Sequence, residues 1–145
     1  MDELQTANDK LQNNRQMGEN QKSQAKFKPR DLRERLLLFS KRILDICKII
    51  PRFPECEGIR KQLANAGTSI GANFEEADGA LSKKDFISKT SISRKEAKET
   101  RYWLRIIKGT YLNEITIEPD IKECEELISI LSAILIKVGA KQARD

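Results

Sequence analysis

The stretch GTSIG at residues 67–71 is the part of the sequence that most resembles a phosphate-binding loop. A loop of the Walker type needs its second glycine to be followed by lysine and then serine or threonine, so that an ammonium and a hydroxyl reach the nucleotide and its magnesium. Ala72 and Asn73 follow Gly71 instead. A dinucleotide-binding loop needs a preceding strand, and the sequence predicts none here. Both the chemistry and the context therefore argue against a phosphate loop.

A helix explains the same residues better, because apolar residues recur at helical spacing on both sides of them. Gly67 and Gly71 then lie one turn apart on one face, where each costs about 0.8–1 kcal/mol of helix propensity relative to alanine. Such a pair indicates that another backbone approaches closely. Asn73, beside this face, either fixes the register of the contact or belongs to a binding groove. The expected partner is the next predicted helix, whose inner face is rich in small residues: Phe86, Thr90, Ser93, Ala97, Thr100, Leu104 and Ile107.

One flank of that next helix carries a row of cations at alternating steps of four and three residues, here called the basic row: Arg94, Lys98, Arg101, Arg105 and Lys108. It extends over roughly 21 Å at 1.5 Å per residue. Like charges at these spacings repel by about 0.2–0.5 kcal/mol per pair, which RNA or DNA would relieve. Cations of the first predicted helix would enlarge the surface if they lay beside it: Arg30, Arg33, Arg35, Lys41 and Arg42.

Two alternatives to anion binding stay open for the basic row. The cations are simply solvated, or carboxylates on other helices neutralise them. The candidates for internal neutralisation are Glu75, Glu76, Asp78, Glu123 and Glu126.

The opposite flank of the same helix is acidic and aromatic, with Glu96, Glu99 and Trp103, the only tryptophan. Trp103 is interpreted either as part of the core or as part of a subunit interface. If this flank met the basic side of a neighbouring copy, the contact would be head-to-tail and would close into a ring.

The sequence offers no set of residues for catalysis. Histidine is absent from all 145 residues, which removes the commonest general base and the usual metal ligand. Cys47, Cys56 and Cys124 lack the spacing of a structural zinc site, so we expect reduced thiols in a cytoplasmic protein, with Cys56 exposed in a loop. We therefore predict that the protein is not an enzyme and has no catalytic residue, metal or cofactor.

Helical periodicity recurs in four segments, and no strand-like alternation of useful length appears. Pro51 ends the first segment, Ser82 with Asp85 forms a capping box for the third, and Gly109 is a left-handed stop. Pro119 suits the first turn of the fourth segment, which ends near Gly139. The fold class predicted is all-α, an antiparallel up-down-up-down four-helix bundle, with helices at about 31–50, 55 or 58–80, 82–107 and 119–139.

The first 29 residues are polar and nearly free of large apolar groups, so they predict a flexible tail. The expected organisation is a polar flexible tail at 1–29, a four-helix bundle domain at 30–139 and a short C-terminal tail at 140–145. Neither a secretory signal nor a stretch long enough to cross a membrane is expected. The net charge of +5 favours anionic partners.

Part of the pattern resembles a known family. The spacing QL-x-x-A-x-x-SI-x-x-N-x-x-E is met at residues 62–76, and ETRYWL stands at residues 99–104. Residues 36–138 are for the most part similar to the bacterial four-helix bundle proteins encoded by intervening sequences of 23S ribosomal RNA genes. Gly67 and Phe74 stand where that family is expected to have alanine and isoleucine. YWLRII also resembles a related branch, the accessory variability determinant of diversity-generating retroelements.

The resemblance implies an up-down-up-down bundle assembled as a homopentamer and, from the related branch, binding of nucleic acid and of a reverse transcriptase. It implies no catalytic residues. We therefore predict a cytoplasmic, non-enzymatic, homo-oligomeric helical protein that binds RNA or DNA through the basic row with little sequence specificity. The alternative is a protein-interaction scaffold, such as an accessory subunit for a reverse transcriptase in a diversity-generating retroelement, whose charges serve solubility and assembly.

Overall fold

The computed structural model of the protein describes the backbone of residues 3–24 and 31–144 and the side chains of 3–15 and 31–139. This part of the chain contains five α-helices and no β-strand, so the prediction of an all-α protein is confirmed. The predicted count of four helices is corrected to five. The helices are α1 Glu3–Gln24, α2 Leu32–Ile49, α3 Cys56–Asp78, α4 Lys83–Ile107 and α5 Glu114–Arg144.

The starts of α2 and α4 follow from local capping. The carboxylate of Asp31 accepts a hydrogen bond from the backbone N–H of Glu34 at 3.2 Å, and the hydroxyl of Ser82 accepts one from the N–H of Asp85 at 3.1 Å. Each cap satisfies an N–H that has no partner inside the helix. α4 stops just before Gly109, whose φ of 74° is the left-handed conformation that favours glycine.

Helices α2 to α5 pack in succession, and the contacts between each pair run in opposite chain directions, so each helix is antiparallel to the one before it. Their shared core contains fully buried Leu36, Ile46, Leu63, Leu104 and Leu127. Three side-chain bonds to backbone carbonyls mark the three successive contacts: Ser40 Oγ to Gly67 O at 3.2 Å, Ser93 Oγ to Ile70 O at 2.7 Å, and Cys124 Sγ to Ala97 O at 3.2 Å.

The glycine pair lies in an unbroken helix, as predicted, but its predicted partner is wrong. A Cβ atom added at Gly67 would lie 2.5 Å from Ile43 Cγ2, and one added at Gly71 would lie 3.5 Å from Leu36 Cβ. Ile43 and Leu36 both belong to α2, so α2, and not α4, lies against the glycines. Gly67 and Ile70 are about 60° apart around α3, and it is Ile70 that faces α4. The apolar periodicity of α3 predicts one broad buried face, but it does not tell which part of that face contacts α2 and which part contacts α4.

A helix occupies residues 3–24, where the sequence predicted a flexible tail. α1 packs in the groove between α2 and α5. Leu11 is fully buried there, and Asp120 of α5, only 6% exposed, accepts hydrogen bonds from Arg15 of α1 and Arg42 of α2. The segment has little apolar surface of its own, so its order depends on these contacts with two other helices.

α5 is longer at both ends than predicted. It begins at Glu114, which places Pro119 inside the helix instead of in its first turn, and it continues past Gly139 to Arg144. Asn8 of α1 accepts a hydrogen bond from the backbone N–H of Asn113 at 2.8 Å, and this contact supports the start of α5. The helix thus covers residues 140–144 of the predicted C-terminal tail, and the rest of both predicted tails lies outside the described residues. The division of the chain into two tails and a bundle domain stays a prediction.

All three cysteines are free and buried. This corrects the prediction that Cys56 is exposed in a loop, because it is the first residue of α3 and is 0% exposed. Burial raises the pKa of Cys47 to about 11 and that of Cys124 to about 12, so both are neutral thiols at physiological pH.

Candidate nucleic-acid interface

The basic row owes its position to the inner face of α4. Ser93 bonds the carbonyl of Ile70 on α3, and Ala97 accepts a hydrogen bond from Cys124 on α5, so the inner face is held by both neighbours. Thr100 satisfies its hydroxyl within α4 by donating to the carbonyl of Glu96 at 2.8 Å. Because the basic row lies one residue further around the helix, it is placed on the flank beside α5.

Four of the five cations in the basic row form no ion pair within the part of the chain that the structure describes. Lys98 and Arg105 are exposed, and Arg94 and Arg101 are partly exposed. The fifth, Lys108, has its Nζ 2.7 Å from Glu118 Oε2 of α5. This pair raises the pKa of Lys108 and lowers that of Glu118, since each partner favours the charged form of the other.

The carboxylates considered as internal neutralisers of the basic row bind other cations. Arg33 of α2 bonds Asp78 at 3.0 Å and lies 3.9 Å from Glu75. Arg35 forms ion pairs with Glu123 and Glu126, and this raises its pKa. The last of the set, Glu76, pairs with Lys89 at the start of α4. Glu118, which the sequence did not single out, is the carboxylate that reaches the row.

The cations of α2 are mostly engaged, so they add little to the basic surface. Arg33 and Arg35 are bound to the carboxylates just described, and Arg42 donates to Asp120 at 2.9 Å. Lys41 is exposed, and Arg30 lies outside the described residues. Among the cations that the sequence singled out, the unpaired ones within the described residues are therefore Lys41 of α2 and four of α4.

The acidic and aromatic flank of α4 lies on the side of α3. Trp103 is half-buried against the core, and its Nε1 donates to Glu99 Oε1 at 3.3 Å. Burial raises the pKa of Glu96, and the nearby charge of Glu99 raises it further. Trp103 thus contributes to the core of its own chain, and a role for Trp103, Glu96 and Glu99 in a subunit interface stays a prediction.

Tyr102 is a feature of this surface that the sequence analysis missed. Its side chain is 59% exposed, and its ring packs edge-on against Trp103 with the centroids 5.3 Å apart. The signal was present in the sequence, because Tyr102 follows Lys98 by four residues and precedes Arg105 by three. Asn73, by contrast, donates to the carbonyl of Ser69 within its own helix at 2.8 Å, which satisfies its amide locally.

The described residues contain no group of three or more acidic or cysteine side chains placed to hold a metal ion. None of their helices is both long enough and apolar enough to cross a membrane.

The chain is similar in fold and sequence to known proteins over most of its length. A family described as 23S rRNA-intervening sequence protein matches residues 31–133. A crystal structure of a protein of unknown function from the S23 ribosomal protein family of Bacteroides thetaiotaomicron is similar, with 36% identity and a TM-score of 0.66, over 71% of this chain and 96% of that one. No curated protein matches. The protein belongs to the 23S rRNA-intervening sequence protein family.

Proposed function

We propose that this protein is a non-enzymatic, homo-oligomeric, cytoplasmic helical protein that binds RNA or DNA through the basic row, with little sequence readout. The observation that carries the proposal is the set of four unpaired cations on one flank of α4, while the carboxylates considered as neutralisers bind elsewhere. Phosphate contacts of this kind fix the position of a nucleic acid without reading its bases.

Cations that are merely solvated would also be unpaired, so the deciding quantity is the salt dependence with which the basic row binds a polyanion. Four phosphate contacts give a slope of log Kobs against log salt of about −2.8 for a single strand and about −3.6 for a duplex. Between 50 and 200 mM salt, these slopes correspond to a loss of affinity of about 50-fold to 150-fold. A merely solvated surface would bind too weakly to show this behaviour.

The proposed oligomer uses the other flank of α4. Trp103 is only half-buried in its own chain, and the carboxylate of Glu96, two turns before it on the same flank, is partly desolvated. A basic surface of a neighbouring copy would complete the burial of the indole ring and neutralise the two carboxylates, which gives a head-to-tail ring. The family resemblance implies that this ring is a pentamer. Light scattering tests this directly, and a monodisperse monomer at micromolar concentration would contradict it.

The binding test compares two doubly charge-reversed variants by fluorescence anisotropy with labelled RNA and DNA. Arg101→Glu with Arg105→Glu removes two cations of the basic row and should abolish binding at 150 mM salt. Lys41→Glu with Lys61→Glu changes the net charge equally at exposed positions of α2 and α3, and should retain most of the affinity. Circular dichroism checks that both variants fold.

Equal losses in the two variants would mean that net charge alone attracts nucleic acid, and the basic row would then not be the site. If the wild type binds no nucleic acid but captures a reverse transcriptase in a manner independent of salt and of the row, the scaffold function replaces nucleic-acid binding.

A further inference from the structure

An exposed aromatic ring lies among the unpaired cations of α4. Tyr102 is 59% exposed, and Lys98 and Arg105, four residues before it and three after it, are its neighbours on the helix surface. Neither of these cations forms an ion pair within the described chain, and no cation lies over the face of the tyrosine ring there. Tyr102 therefore neither covers the core nor shields a charge of its own helix.

The ring is nevertheless held in place. Trp103 meets it in an edge-on contact, with an angle of 68° between the ring planes, and Trp103 is itself half-buried and bonded to Glu99. One side of Tyr102 is thus supported by an anchored neighbour while much of the ring stays in water. A tyrosine loses little conformational entropy on binding a flat partner, because few torsions remain to be fixed.

We propose that this cluster of Tyr102, Lys98 and Arg105 selects single-stranded nucleic acid, with a base stacked on Tyr102 and the flanking phosphates bound by the basic row. The inference rests on the proposed function and specifies its ligand. Single-strand binding sites commonly combine a line of cations along the backbone with aromatic rings that accept any base. In a duplex the base faces are covered by their neighbours, so an exposed ring on a convex helix gains nothing from them.

The test measures the affinity of the full-length protein for a 12-nucleotide oligouridine and for a 12-base-pair RNA duplex at one salt concentration. We expect Tyr102→Ala to weaken oligouridine binding by between about 5-fold and about 150-fold, the range that loss of one stacked base produces, and to leave duplex binding unchanged. Tyr102→Trp should retain the single-strand affinity because it retains the ring.

A matched control is Phe53→Ala, which removes another exposed ring, 47% exposed and packed near Tyr111, three residues beyond Lys108 and outside the cluster of Tyr102, Lys98 and Arg105. It should change neither affinity. Single-strand binding that is unaffected by Tyr102→Ala, or an equal loss for the duplex, would overturn the stacking inference and leave the proposed function standing. Failure of the wild type to bind either RNA would overturn both, so the two failures are distinguishable.

Discussion

Replacing Gly67 by alanine should destabilise the protein, while the same change at Gly71 should stabilise it. The new Cβ at Gly67 would lie 2.5 Å from Ile43 Cγ2 and 2.9 Å from its Cβ and Cγ1. Ile43 is 0% exposed and branched at Cβ, so these atoms cannot move without displacing the core. At Gly71 the nearest atoms, Leu36 Cβ and Ser40 Oγ, are 3.5 Å away, an ordinary contact.

The magnitude follows from two opposing contributions. Both variants gain about 0.8–1 kcal/mol of helix propensity over glycine. Gly67→Ala also pays the cost of overpacking, about 1–3 kcal/mol. The difference between the two variants isolates that cost, because the propensity gain cancels. For a chain of 145 residues, each kcal/mol corresponds to roughly 2–4 °C in Tm.

Urea unfolding followed by far-UV circular dichroism measures the free energy of unfolding of both variants. As a further control, Ile43→Ala removes the γ atoms that the new methyl group meets. In that background Gly67→Ala should lose much of its cost, which would show that the two positions are coupled. If Gly67→Ala and Gly71→Ala proved equally stable, the close approach of α2 to α3 at Gly67 would be refuted.

Three more predictions concern single side chains. Thr90→Val should leave the free energy of unfolding unchanged or raise it by up to about 3 kcal/mol, because the hydroxyl of Thr90 has no hydrogen-bond partner in the described structure and the residue is 0% exposed. A loss above about 1 kcal/mol in urea unfolding would contradict this. Asp120→Asn should cost about 3 kcal/mol by the same assay, because two largely buried arginines lose their carboxylate; a neutral effect would show that the cluster does not hold α1. Glu118→Gln should free Lys108 and steepen the salt slope of nucleic-acid binding by about 0.7–0.9. The lowered pKa of Glu118 means that the native pair persists as pH falls through the ordinary carboxyl range and opens only below it, so acidification should steepen the slope of the wild type and not that of Glu118→Gln.

The placement of the basic row on the fold, though not its role, could be predicted in part from the sequence. The alternating steps of four and three residues were enough to place the basic row on one flank of α4. Whether its members were paired could not be deduced, because Glu118 reaches Lys108 from a different helix. Tyr102 was overlooked although its spacing from Lys98 was visible. Asp120 gave no signal, since its importance comes from arginines on two helices remote in the chain.

The sequence by itself determined α2, α3 and α4 to within about two residues. Their limits depend on local interactions: Asp31 and Ser82 bond N–H groups three residues ahead, Pro51 cannot extend a helix, and Gly109 adopts a positive φ. The apolar period of each segment also identified its buried face.

Tertiary structure alone decided that residues 3–24 form the helix α1, where α5 begins, and which helix packs against Gly67 and Gly71. Leu11 and Arg15 stabilise α1 only because α2 and α5 form a groove, and α1 in turn supports the backbone at Asn113, ahead of the position where Pro119 predicted the helix to begin. Gly67 contacts α2 because the packing of α2, α3 and α4 together sets which side of α3 the glycines face. Propensity and periodicity act over one or two turns, and these contacts join residues up to 105 positions apart.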